Sequence, residues 1–354
     1  MKKVKFLILT FIMISAFSSF CNVAIGQQEV ELNPEDFEKR KNSVIDGVRL
    51  ETQDIVSEVS DLLVKKDFDR LEKIVSSLRE GKVRSKGGNW QLNYCYENLS
   101  QRWTGFTPSR EKWLYGIFDE WMEKKPESVT PRIAKAKAYI DFAWEARGGD
   151  YASTVTEAGW KKCREKLGRA HKLLVEAEKL YPSDPEIYAL RLEIGRITNK
   201  SRKEMESIFQ KGIEVERAYC PLYYEMATTL MQRWDGKKGE LEAFMDRAVE
   251  LTKKTEGESF YPRISDMIFR YYTFEDFQRE FNIPYERLRR GYWDLLARYP
   301  EAHYYLNSFC YMACLNNDKD TARKLFARIG QDCDPEAWRG QDSFEYSRKW
   351  ALEE

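Results

Sequence analysis

From Pro34 onward, apolar residues recur at three- and four-residue intervals in nearly every segment, and no stretch alternates apolar and polar residues as a half-buried strand does. Two neighbouring segments show this cleanly: Leu167, Ala170, Leu174, Ala177 and Leu180 share one helix face, and Ile187, Leu190, Ile194 and Ile197 share a face of the next. Neither helix is stable alone in water, so the two stripes must cover each other. The same spacing predicts helices near 90–99, 109–125, 131–147, 154–180, 185–198, 202–216, 221–234, 240–253, 259–272, 274–281, 284–298, 302–315 and 319–329.

The chain's punctuation agrees. Leu180-Tyr181-Pro182-Ser183-Asp184-Pro185-Glu186 ends one helix and opens another, and Arg298-Tyr299-Pro300-Glu301-Ala302 does the same further on. Similar ends near Glu216 and Lys253 give a loose period in the mid-thirties, the spacing of helix-turn-helix repeats, which residues 1–130 fit poorly. The expected fold is therefore all-α: a tetratricopeptide-like helical-repeat solenoid of antiparallel helix pairs over residues 90–345, with a tail at 346–354. A helical lead-in spans 27–80, starting at Asn33-Pro34-Glu35 and broken near Lys66-Asp67. The loop-like stretch 81–89 (GKVRSKGGN) separates it from the body.

The first residues follow a different rule. Lys2, Lys3 and Lys5 precede an apolar run from Phe6 to Phe17, then small and polar residues to Ala24-Ile25-Gly26, the order of a secretory signal peptide cleaved before Gln27. A retained anchor needs about 20 apolar residues, and this run is interrupted by Ser15, Ser18, Ser19 and Asn22. Lipoprotein processing at Cys21 is disfavoured by bulky Phe20. The expectation is a periplasmic or secreted protein with no stable membrane insertion after cleavage.

Charge then excludes one class of partner. Lys plus Arg and Asp plus Glu number 58 each, and losing residues 1–26 removes three lysines and no acid, leaving 55 basic against 58 acidic side chains. Phosphate binding needs a basic excess or stripe, so nucleic acid is not an expected partner. Charged residues at 33% with few Val/Ile/Thr clusters favour helices, and 42% hydrophobic content is ample for a core.

Residues 138–160 (AYIDFAWEARGGDYASTVTEAGW) resemble a bacterial family catalogued only as domain of unknown function 4034. Three further stretches agree with it: Tyr223-Tyr224-Glu225-Met226-Ala227 through Arg233-Trp234-Asp235-Gly236; Gly239-Glu240 with Phe244; and Asn307 through Cys314 with Asp320, Ala322, Arg323 and Phe326. The resemblance covers roughly 54–345 and implies a tetratricopeptide-like architecture with no known activity, substrate or partner. Met231-Gln232 departs from the apolar-proline pair expected before Arg233, which predicts a less sharp helix end.

Candidate chemistry is sparse. Trp144-Glu145-Ala146-Arg147-Gly148-Gly149 and Arg233-Trp234-Asp235-Gly236 are both aromatic-plus-arginine helix ends. If they meet, with Asp141 or Asp150 as the acid, they form a polar cluster rimmed by indoles, suited to a carboxylate or a sugar; otherwise the arginines cap carbonyls and the tryptophans fill the core. His303, Cys310 and Cys314 share one helical face with Cys333 in a later loop, which suits core packing, a disulfide from Cys333, or a soft-metal site. His171 and His303 are the only imidazoles, and there is no GxSxG, HExxH or Walker loop, nor any cofactor motif. Tyrosine doublets at 223–224, 271–272 and 304–305 each place one ring towards the core and the other towards a groove.

Together these features point to a non-enzymatic module binding an unknown protein or peptide in a concave groove. The alternatives are an envelope enzyme or small-ligand-binding protein built on the Arg/Trp/acid cluster, and a thiol or metal sensor.

Overall fold

The computed structural model describes residues 53–100, 107–148, 154–234 and 236–353. The signal-like segment, Cys21, Gln27 and the helix start at Asn33-Pro34-Glu35 lie outside the described residues, as do Gly149, Asp150 and Asp235.

Among the described residues the chain is all-helical: the only extended pairing is an isolated bridge between Arg84 and Trp90. The lead-in gives α1 (Gln53–Lys65) and α2 (Phe68–Glu80), broken where expected: Lys66 takes a positive φ and the Asp67 side chain accepts from the Arg70 amide, capping α2. Next come α3 (Gln91–Leu99), α4 (Pro108–Lys124), α5 (Thr130–Arg147), α6 (Glu157–Leu180), α7 (Pro185–Ile197), α8 (Arg202–Val215), α9 (Cys220–Leu230) and α10 (Glu240–Glu256). The chain ends with α11 (Phe260–Phe269), α12 (Phe274–Glu280), α13 (Tyr285–Arg298), α14 (His303–Leu315), α15 (Lys319–Ile329), α16 (Pro335–Trp338) and α17 (Gln341–Leu352).

Starts are set by side-chain caps and N1 prolines. Thr107, Thr156, Asp184, Thr273 and Asp318 each accept from a first-turn amide, and Ser201 with Glu204 forms a full capping box. Helices pair in chain order as α5/α6, α7/α8, α9/α10, α11/α13 (passing over the short α12) and α14/α15, while α9, the first helix of its pair, also packs on the first helices before and after it, α7 and α11. The first helices α7, α9, α11 and α14 begin at residues 185, 220, 260 and 303. Only the first interval matches the mid-thirties period, because a 3-10 turn at Gln232–Trp234 lengthens the next connection and α12 is inserted in the one after.

Four expectations change in detail. The helix expected over 221–234 stops sharply at Leu230. A Cβ on Gly236 would lie 1.8 Å from the Leu230 carbonyl oxygen, so glycine lets the chain fold back against the helix end, and its amide bonds Met231 O at 3.1 Å. Leu180 is 45% exposed, so the α6 stripe ends at Ala177. The tail expected from 346 is the second half of α17, with Ala351 buried. Arg323 Nε bonds Ala351 O at 2.7 Å, and Trp338 Nε1 of α16 bonds Asn307 Oδ1 at 2.8 Å, so α16 and α17 close the end of the array. Finally, 81–89 does not separate the lead-in from the body: Arg263 donates to Gly87 O at 2.8 Å, and just before this stretch Arg79 Nε of α2 lies 2.6 Å from Asp184 Oδ2 in a buried ion pair that also includes Tyr96 and Thr130.

Candidate functional site

Helices α7 and α11 are buried almost all round, and neighbouring helices of the array cover only part of each. The stretch 84–99 supplies the rest of the cover, lying along the inner face formed by the first helices. Trp90 Nε1 donates to Ala218 O at 2.7 Å, its ring meets Tyr219 edge-on at 5.1 Å, and Arg84 stacks on it at 3.6 Å. Arg263 of α11, 1% exposed, donates to Gly87 O (2.8 Å), Asn89 Oδ1 (3.0 Å) and Tyr305 Oη (3.0 Å). Asn93 reaches the buried Glu186 of α7 at 3.3 Å, and Tyr219 donates to the same carboxylate at 2.6 Å. The inner groove expected to hold a peptide is therefore occupied by the chain's own residues.

Between α3 and that face remains a cavity of about 160 Å³. Asn93, Tyr94 and Glu97 form the α3 wall; Arg196, Glu225 and Thr228 form one end of the opposite wall, and Asp266, Arg270, Tyr304 and Tyr305 the other. The tyrosine doublets divide accordingly. Tyr223 is buried among Phe209, Phe244 and Phe260 while Tyr224 faces the chamber; Tyr271 faces it while Tyr272 packs on Phe281; Tyr304 and Tyr305 both line it.

The two aromatic helix ends do meet: the Trp144 and Trp234 rings stand edge to face at 6.2 Å. The cation between them is Arg196, 5.5 Å from the Trp144 ring and 5.0 Å from the Trp234 ring, with Nη2 2.9 Å from Glu225 Oε2. Trp144 Nε1 donates to Glu193 at 2.9 Å. The arginines of the motifs themselves go elsewhere. Arg147 lies over Trp144 and Trp160 and donates to Gly148 O at 3.1 Å; Arg233 is exposed, over the Tyr271 ring at 5.5 Å. Asp141 pairs with Lys137 one turn away at 2.7 Å, and Lys137 also reaches Glu97 at 3.2 Å. The signal for Arg196 in the sequence is a cation set inside the Ile187–Ile197 apolar stripe, which is unusual unless it is paired.

Burial sets the acidity here. It pushes the Glu225 carboxyl up to about 7 despite the opposing pull of Arg196. Asp266 is pushed up to about 6 by burial, against the hydroxyls of Tyr292 and Ser308; its Oδ1 accepts from Tyr292, while Oδ2 has no hydrogen-bond partner among the described residues. Burial also raises Glu186 to about 8. A carboxyl whose folded pKa is raised holds a proton that the unfolded chain has lost, so stability declines as pH rises from about 4.5 to about 8. Glu186→Gln keeps this site neutral, so it is expected to be more stable than the parent at pH 8 by on the order of 2 kcal/mol and nearly equal to it at pH 5, as urea unfolding at both pH values will show.

The disulfide considered for Cys333 is not formed: all six cysteines of the described residues are free thiols. Cys310 is buried and donates to the Ala322 carbonyl at 3.7 Å, and Cys333, its thiol pushed up to about 11 chiefly by burial, is half-buried against the core. His303 is engaged by the acids on either side of Cys333, with Nε2 3.0 Å from Asp332 Oδ2, and the Asp334 carboxylate raises its pKa. Among the described residues no group of three or more His, Cys, Asp and Glu is placed to hold a metal ion. No helix there is long and apolar enough to cross a membrane.

A scan against protein-family models finds none that matches this chain, and a search of curated proteins finds no match either.

Proposed function

We propose that this chain is a non-enzymatic binding protein that encloses a small polar ligand between α3 and the inner face of its repeats. The observation that carries this reading is the self-filled groove. Residues 84–99 occupy, with main-chain and side-chain bonds at Gly87, Trp90 and Asn93, the surface that an extended peptide would need, and leave about 160 Å³. A dry engineered cavity of about 150 Å³ holds one benzene ring, so a single-ring ligand fits this space. The walls combine aromatic faces with a few convergent polar groups, the usual make-up of a small-molecule site.

Screening the purified protein by thermal shift against single-ring metabolites, amino acids and short peptides tests the reading. A small molecule is expected to raise the melting temperature, and Thr228→Met, which puts a larger side chain into the chamber, is expected to abolish the effect. Binding of peptides alone, unchanged by Thr228→Met, would return the reading to an interaction module.

We also propose export, on the residue order at 1–26, and membership of family 4034, on the matching stretches at 138–160, 223–236, 239–244, 307–314 and 320–326. N-terminal sequencing of the protein from its host, with Gln27 expected first, checks the former. A sequence alignment of family 4034 that fails to keep the chamber residues would count against the latter.

A further inference from the structure

We infer that the chamber takes a neutral, hydroxyl-rich ring, a monosaccharide or cyclitol, and that Asp266 is the acceptor that orients it; this rests on the binding reading above. Three observations narrow the ligand to that class.

Asp266 lies on the chamber wall, 4% exposed, with Oδ1 engaged by Tyr292 and Oδ2 without a hydrogen-bond partner among the described residues. A buried acceptor left without a donor carries its desolvation cost uncompensated, so a ligand that donates there removes a standing penalty. The group reaching Oδ2 must therefore be a hydroxyl or a protonated nitrogen.

The cations of the chamber are already engaged, which argues against an anion. Arg196 is held by Glu225 and stacked between two indoles; Arg263 gives its donors to Gly87, Asn89 and Tyr305; Arg270 stands over the Tyr304 ring at 5.1 Å. A carboxylate or phosphate would have to break one of these arrangements before it gained a partner.

A ligand ammonium is disfavoured for the opposite reason. It would enter a space bordered by three guanidiniums, while Glu225 is matched to Arg196 and Glu97 faces Lys137 at 3.2 Å. A neutral hydroxyl supplies the missing donor without adding charge. The rings of Tyr224, Tyr271, Tyr304 and Tyr305 give apolar faces against which the carbon skeleton of a sugar or cyclitol can lie, and Asn93 with Thr228 adds polar edges.

Isothermal titration calorimetry on the full-length protein tests this with neutral rings (glucose, galactose, myo-inositol) beside charged counterparts of the same size (glucuronate, glucosamine) and free amino acids. At least one neutral ring is expected to bind, Asp266→Asn to weaken it by about tenfold or more because the acceptor oxygen is partly replaced by a donor, and Thr228→Met to abolish binding. Deoxy analogues titrated into the parent protein give the same information should Asp266→Asn fail to fold: removal of one particular hydroxyl must cost about tenfold. Tighter binding of a charged counterpart, or no loss with either Asp266→Asn or any deoxy analogue, overturns the ligand class and leaves the chamber standing as long as Thr228→Met still blocks binding. If no small molecule binds, or Thr228→Met leaves binding intact, the chamber reading falls with it.

Discussion

Arg79→Ala is expected to cost about 3–5 kcal/mol of folding stability, a large share of what a chain of this kind has to lose. Arg79 extends from the last turn of α2 with its side chain 9% exposed, and its partner Asp184 is fully buried at the N-cap of α7. The guanidinium satisfies three groups at once: Asp184 Oδ2 at 2.6 Å, Tyr96 Oη at 2.9 Å and Thr130 Oγ1 at 3.2 Å. Truncation leaves a carboxylate inside the protein with only the Tyr96 hydroxyl and the α7 first-turn amides around it, and the penalty of that stranded charge exceeds the loss of the bonds themselves. The double variant Arg79→Ala/Asp184→Asn tests the cause. Asparagine still caps α7 but carries no charge, so it is expected to recover about 1–2 kcal/mol of the loss in urea unfolding. A loss below about 1 kcal/mol for the single variant would mean that the lead-in does not need this pair to dock.

What the sequence shows and hides follows from the range of each interaction. The break at Lys66-Asp67 is legible because an N-cap acts within three residues: the Asp67 carboxylate meets the Arg70 amide. The helices themselves are legible for the same reason, since an apolar stripe is a local pattern. The meeting of Trp144 with Trp234 is legible at one remove, because Trp144 lies in the last turn of α5 and Trp234 in the 3-10 turn just past α9, and the ends of first helices in a repeat array line up.

The filled groove is not legible. GKVRSKGGN is polar and glycine-rich and reads as a linker by any local criterion, yet the residue that fixes it, Arg263, lies 176 positions beyond Gly87. Arg196 is obscured for a related reason. Its place inside the Ile187–Ile197 apolar stretch hints that it is paired, but its partner Glu225 belongs to the next helix pair, and nothing local names that partner. Buried polar pairs of this kind are specified by tertiary proximity, and only the assembled face shows that an arginine within an apolar stripe has both an acid and two indoles waiting for it.

The segment 84–99 thus replaces the ligand that an open repeat protein would capture, and the chamber exists only while that segment stays in place. Gly88→Ala is the substitution that addresses this directly, and it is expected to cost about 3 kcal/mol. Gly88 has φ +77°, where a side chain is strained by about 1 kcal/mol. A Cβ there would also come within 2.5 Å of Arg263 Nη2 and of the Tyr299 ring. Neither neighbour can yield cheaply: Arg263 is anchored by three acceptors, and Tyr299 donates to both oxygens of Glu256 at 3.1 and 3.0 Å. Gly330→Ala provides the control, because φ there is +65° and no atom lies within 4 Å of the added carbon, so it reports the backbone strain alone, about 1 kcal/mol. The difference between the two variants in urea unfolding isolates the contact of the loop with the inner face. Hydrogen exchange then locates it: in Gly88→Ala the Ser85 and Gly88 amides, which bond Asn89 O and Ser85 O, are expected to lose protection ahead of the α7 and α9 amides. Equal costs for the two variants, with unchanged protection at 85–88, would mean that the loop adapts without leaving the groove, and that the cover over the chamber tolerates more movement than its packing indicates.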